Sequence, residues 1–242
     1  MDGIKLICKK GNLNEIKKII NDDNINEIFM YSCECGHLEF VKYLINKDID
    51  IHADGEWAFG RSCKYGHLKV AKWLYSLGNV DIHVADEYAF RWSCKYGHLK
   101  VAKWLYSLGD VDIHAENEWA FIWSCFCGEL DVAKWLYGLG NVDIHANYEY
   151  AFRFSCLYGE LDVAKWLYGL GNVDIHADND YAFEFSRANN HLEVVKWLCK
   201  ISDKYDYYIK YDGKTVGIFN KYKFNKNPYM IRCGEFSDIK IK

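Results

Sequence analysis

Between residues 86 and 109 the apolar positions follow a helical period twice, and a glycine ends each run. In the second run Leu99, Ala102, Leu105 and Leu108 recur at i, i+3, i+6 and i+9, while Lys100, Lys103 and Ser107 take the opposite side. The first run, Tyr88 to Tyr96, is richer in aromatic residues and closes at Gly97, as the second closes at Gly109. Glycine suits both places because the left-handed conformation that ends a helix is disfavoured by a Cβ. The pattern predicts a unit of helix, tight turn, helix and loop.

That unit recurs. Trp73, Trp104, Trp135, Trp166 and Trp197 are each 31 residues apart, and Ser62–Gly78 matches Ser93–Gly109 without a difference. A fixed period of this length marks a stack of supersecondary units, each too small to bury its own apolar face. Counting the turn at Gly11, Gly36, Gly66, Gly97, Gly128, Gly159 and Asn190 gives about seven helix pairs over residues 1–200. Asn190 takes the glycine's place, and asparagine is the next residue best suited to a left-handed turn. The first two units are shorter and more polar, with Ile16, Ile19 and Ile20 instead of the Trp-Leu pair, which predicts a degenerate amino-terminal cap.

Gly97-His98-Leu99-Lys100-Val101-Ala102-Lys103 resembles the Gly-His-Leu-Glu-Val-Val-Lys core of the ankyrin repeat, and Asp112-Ile113-His114-Ala115 resembles its Asp-Val-Asn-Ala. Tyr88-Ala89-Phe90-Arg91 replaces the family's Thr-Pro-Leu-His, and the loop is two residues shorter. The resemblance implies an all-α repeat solenoid, a curved array of helix-turn-helix units with blunter loops and no Thr cap. The Trp- and Tyr-rich style, in a chain heavy in Asn, Ile and Lys with one proline, is similar to ankyrin proteins of giant DNA viruses of the mimivirus type. That likeness implies a viral protein in the host cytoplasm or the virion.

The period stops near Ile201. Tyr207–Tyr211 and Thr215–Phe219 flank Asp212-Gly213, which predicts a hairpin in a small carboxy-terminal cap or tail over residues 201–242. That segment holds nine Lys/Arg against five acids, whereas residues 1–200 hold 21 against 29. Basic residues mixed with aromatics keep nucleic-acid contact open as the second reading. No apolar run approaches the length of a membrane span and no charged-then-apolar leader follows Met1, so a soluble, intracellular, monomeric protein is expected.

The candidate chemistry dissolves into the repeat. Cys33, Cys63, Cys94, Cys125 and Cys156 share one position, the family's small-residue slot, and predict buried free thiols, because helices pack farther apart than a disulfide spans. The histidines fall at the turn (His37, His67, His98, His191) or in the loop (His52, His83, His114, His145, His176), where an imidazole is expected to bond the neighbouring repeat's backbone. Glu56, Glu87, Glu118, Glu149 and Asp180 form an acidic column before the first helix of each unit, where the helix terminus favours negative charge. No nucleotide, metal or nucleophile motif is present. The expectation is no catalysis, no cofactor and no metal.

What remains is a surface. The resemblance places binding on the concave face, at the two residues before each turn glycine: Lys64/Tyr65, Lys95/Tyr96, Phe126/Cys127, Leu157/Tyr158 and Ala188/Asn189. The residue after the shared phenylalanine also varies (Gly60, Arg91, Ile122, Arg153, Glu184), beside Arg61, Trp92, Trp123, Phe154 and Phe185. Glu87, Lys95, Tyr96, Glu118, Phe126, Glu149, Leu157 and Tyr158 are the candidate partner-binding residues, with the glutamates steering a basic protein partner. Phe126, Leu157 and Tyr158 are either exposed as a patch or packed into a widened core. A ubiquitin-ligase adaptor is a further possibility, although no leucine-rich helix follows Ile201.

Overall fold

The computed structural model describes residues 2–21, 23–47, 49–209 and 216–220. It contains, among these, 14 helices in tandem pairs and two short strands. The pairs are α1 (Asp2–Lys10) with α2 (Leu13–Ile19), α3 (Ile25–Glu34) with α4 (Leu38–Ile45), and α5 (Ala53–Lys64) with α6 (Leu68–Ser76). Then come α7 (Val84–Lys95) with α8 (Leu99–Tyr106), α9 (Ala115–Phe126) with α10 (Leu130–Leu139), α11 (Ala146–Tyr158) with α12 (Leu161–Leu170), and α13 (Ala177–Ala188) with α14 (Leu192–Ile201). Seven helix-turn-helix units are the all-α repeat architecture the sequence implies. The chain forms two compact units, one of residues 1–124 with 131–142, the other of 125–130 with 143–242.

Each pair is built the same way. The first helix buries its phenylalanine completely (Phe59, Phe90, Phe121, Phe152, Phe183), and the second buries a Val-Ala-Leu triplet such as Val101, Ala102 and Leu105. Between them sits a fully buried serine whose hydroxyl donates to the carbonyl three residues back, Ser93 to Phe90 and Ser155 to Phe152 at 2.7 and 2.8 Å. A buried hydroxyl without such a bond would cost about 1–3 kcal/mol. The tryptophan of the second helix packs on the preceding repeat: Trp135 lies 6.1 Å from Phe90 and meets Tyr106 edge-on at 5.9 Å, in the favoured T-shape.

The turn glycine is required twice over. Gly66 has φ +80, and a Cβ there would come within 2.6 Å of the His98 ring of the next repeat. His67 repeats the arrangement one unit earlier, where its ring crowds Gly36 and its Nε2 bonds the Glu34 carbonyl at 2.8 Å. The turn histidines, not those of the loop, therefore reach the neighbouring backbone.

In the second unit β1 (Tyr205–Ile209) pairs antiparallel with β2 (Val216–Asn220), Tyr207 opposite Ile218. The expected Asp212-Gly213 turn lies outside the described residues, as do the basic positions from Lys221 onward. The cysteines among the described residues are free thiols, and burial pushes those of Cys33, Cys63, Cys94 and Cys156 far up, with Cys8 at about 11. No described helix is long and apolar enough to cross a membrane.

Candidate functional site

The acidic column is internal. Glu56, Glu87, Glu118 and Glu149 are only 5–7% exposed, contrary to the expectation that Glu87, Glu118 and Glu149 meet a partner. The cause is the start of the first helix. There three successive residues adopt left-handed angles, as in Ala85, Asp86 and Glu87 (φ 51, 52 and 65), and the turn carries the glutamate under the loop. Left-handed non-glycine residues cost roughly 1–2 kcal/mol each, so something must hold the turn. His83 Nδ1 lies 2.7 Å from Glu87 Oε1, and the same oxygen accepts the Asp112 amide of the next loop at 3.3 Å. His52–Glu56 with Asp81, and His145–Glu149 with Asp174, repeat it. The loop histidine thus bonds its own repeat, and the glutamate bridges to the next one. The expected basic-partner steering loses its anions.

In the last helix pair of the second unit Asp180 takes Lys204 Nζ and the Tyr205 hydroxyl, both at 2.8 Å. Against its burial, those bonds and His176 hold the Asp180 carboxyl below the usual range. The segment after α14 supplies a cation and a phenol in place of the next loop's amide.

Lys95 and Tyr96 stand at the end of α7, half-buried and 42% exposed. They belong to a column of rings and cations in the first unit: Trp57, Tyr88, Trp92, Trp119 and Trp123, with successive centroids 5.4–6.3 Å apart. Arg61 lies over Trp57 at 4.4 Å, Lys64 over Trp92 at 4.0 Å and Lys95 over Trp123 at 3.6 Å. Such cation–π contacts contribute about 0.5–1 kcal/mol at exposed sites. Burial and the neighbouring Arg61 and Lys95 cations pull the Lys64 ammonium below its ordinary pKa, and among the described residues Lys64 has no carboxylate at ion-pair distance. Glu34 does pair with Lys5 and Arg61, but it is itself buried.

In the second unit the corresponding positions are apolar. Phe126 meets Tyr158 at a tilt of 47° and 4.1 Å, and Tyr158 is 47% exposed while Phe126 and Leu157 are half-buried. Tyr150 and Phe154, then Tyr181 and Phe185, stack in pairs at 4.0 Å. The two readings of the Phe126 patch combine: two of its side chains widen the packing and Tyr158 remains on the surface. Sequence reasoning missed Trp57, Tyr88 and Trp119 as surface rings, although they follow the acidic column directly in every repeat.

Among the described residues no group of three or more histidine, cysteine or acidic side chains could hold a metal ion. Residues 4–86 match the family model of ankyrin repeats (3 copies), while no curated protein matches the chain. Beyond residue 86 the helix pairs keep the buried phenylalanine and loop of that segment as far as Ile201, and the left-handed turn residue, glycine at Gly97, Gly128 and Gly159 and asparagine at Asn190. Residues 4–86 are thus similar to ankyrin repeats, and the helix pairs that follow repeat their architecture.

Proposed function

We propose that the chain is a non-enzymatic scaffold or adaptor that binds another protein through the face formed by its first helices. Ankyrin repeats are generally protein-interaction modules. The observation that carries the reading is the set of partly exposed rings, Tyr65, Tyr96, Tyr158 and Phe185 at 38–47%, on helices where otherwise near-identical repeats differ in sequence. Aromatic side chains with basic neighbours are the residues that dominate binding hot spots. Exposed Tyr75, Tyr106, Tyr137 and Tyr168 on the second helices are of another kind, because they occur in every one of these repeats and three of them meet the next tryptophan edge-on. In this reading Lys95, Tyr96, Phe126, Leu157 and Tyr158 touch the partner, and residues 201–242 close the last repeat as a monomer's cap.

The giant-virus style of the repeats points to a host or virion protein as the partner and to the host cytoplasm or virion as the place. Affinity capture from infected-cell lysate tests the reading. Lys95→Ala/Tyr96→Ala and Phe126→Ala/Leu157→Ala/Tyr158→Ala, each at unchanged melting temperature, should lose a partner that wild type and Tyr106→Ala retain. Loss with Tyr106→Ala alone would move the site to the second helices, and retention by all three would move it to residues 201–242.

A further inference from the structure

The residue after the buried phenylalanine is arginine in two repeats and glycine in one. The Arg153 guanidinium lies 5.6 Å from the Tyr150 ring and 5.0 Å from the Tyr181 ring of the next repeat. It also donates to the Asn147 carbonyl at 3.1 Å and pairs with Asp178. Arg91 behaves alike, donating to the Ala85 carbonyl at 2.9 Å and lying 5.0 Å from the Trp119 ring. At Arg153 a ring on each side, a carbonyl of the left-handed turn and a residue of the next repeat define a guanidinium's place, and Arg91 shares the carbonyl and the next-repeat ring.

At Gly60 the same four positions are Trp57, Tyr88, Asp54 and Ala85, and all four line a cavity of about 160 Å³. Trp57 and Tyr88 stack 6.3 Å apart at 28°. The Tyr88 ring leans over the glycine, 3.0 Å from where a Cβ would stand. Glu56, 6% exposed, also lines the cavity, and its Oε2 has no hydrogen-bond partner among the described residues. Glu87 and Glu149 share that trait, so it is the glycine that sets this repeat apart. A water occupies about 30 Å³ of liquid, which makes the space ample for a planar guanidinium.

We propose that this cavity is a guanidinium slot, left empty by Gly60, that takes an arginine side chain from a partner molecule. The planar cation fits between two aromatic faces, and its fork of five N–H donors reaches acceptors that a lysine ammonium cannot meet together. The Asp54 carbonyl has two lone pairs, and Glu56 Oε2 supplies the acceptor that Ala85, in the place of Asp178, lacks. The slot stands independently of the binding face proposed above.

The test is titration of the 15N-labelled full chain with N-acetylarginine N-methylamide, followed by NMR. Saturable shifts are expected at the Gly60 and Ala85 amides and the Trp57 indole, with the Arg91 and Trp119 signals, where the slot is filled, unmoved. The matching lysine compound should bind at least fivefold more weakly, and Gly60→Arg should weaken arginine binding at least tenfold. The map in wild type decides even if that variant fails to fold. Absence of saturable shifts at those three residues, equal shifts at Trp119, or equal binding of the lysine compound overturns the slot. Free arginine binding more than tenfold tighter than the blocked compound would overturn a side chain as the ligand.

Discussion

The two compact units are each built on the same interior pattern and present different exteriors. Phe90 meets Trp135 at 6.1 Å and 57° in the first, and Phe152 meets Trp197 at 6.2 Å and 57° in the second. Outside, the first unit interleaves Arg61, Lys64 and Lys95 with its rings, whereas the second stacks Tyr150 on Phe154 and Tyr181 on Phe185 and keeps Arg153 buried at 5%. Core positions must fill fixed volumes and bond every buried polar group, so duplication preserves them. Surface rings tolerate a Lys, a Leu or a Phe beside them, and there the copies have diverged.

The strongest way to break the shared interior is to delete it at matched positions. Phe90→Ala and Phe152→Ala should each cost about 3–5 kcal/mol, read as the fall in stability on urea unfolding. A cost confined to one of them would mean that equal geometry hides unequal packing. The next test sharpens the contrast between exteriors at one repeat position. Arg153→Ala removes a buried guanidinium together with its pairing to Asp178 and its bond to the Asn147 carbonyl and should cost about 1–3 kcal/mol, while Arg91→Ala loses a carbonyl bond at a half-buried site and should cost about 1 kcal/mol or less. Equal losses would show that the Asp178 pair contributes nothing.

How much of this the sequence disclosed depends on what sets each feature. The helix pairs, turn glycines and buried thiols were legible because period and steric demand act locally, at Gly97 or Cys94. The acidic column was misjudged because nothing in the spacing of Glu87 reveals that Ala85 and Asp86 turn left-handed and carry it inward. His83 was assigned to the neighbouring backbone for the same reason, since its real partner is set by that turn. Of the candidate binding residues defined by variation, Tyr96 and Tyr158 lie at the surface, while Lys95, Phe126 and Leu157 are half-buried. Those defined by repetition, such as Glu118, lie inside, since a position kept constant through duplication more often serves packing.

The smallest effect separates the units by pH. The turn position is His67 and His98 in two repeats of the first unit, where burial holds both imidazoles below their ordinary pKa, and Glu160 in one repeat of the second, where burial raises the carboxyl. For the histidines the unfolded chain takes up protons first, so their contribution to stability is lost as pH falls below about 6.5. For Glu160 the unfolded chain releases its proton first, so its contribution is present below about 4.5 and is lost as pH rises through the folded value. Acidification thus acts with opposite signs on one repeat position. His98→Glu should flatten the loss of melting temperature between pH 7 and 5.5, and Glu160→His should steepen it, by a few degrees at most. NMR titration of the His67 and His98 ring protons gives the direct check, with midpoints expected below those of the same residues in urea. Midpoints above 6.5 would mean that the Glu34 and Lys64 carbonyls, which their rings bond, outweigh burial.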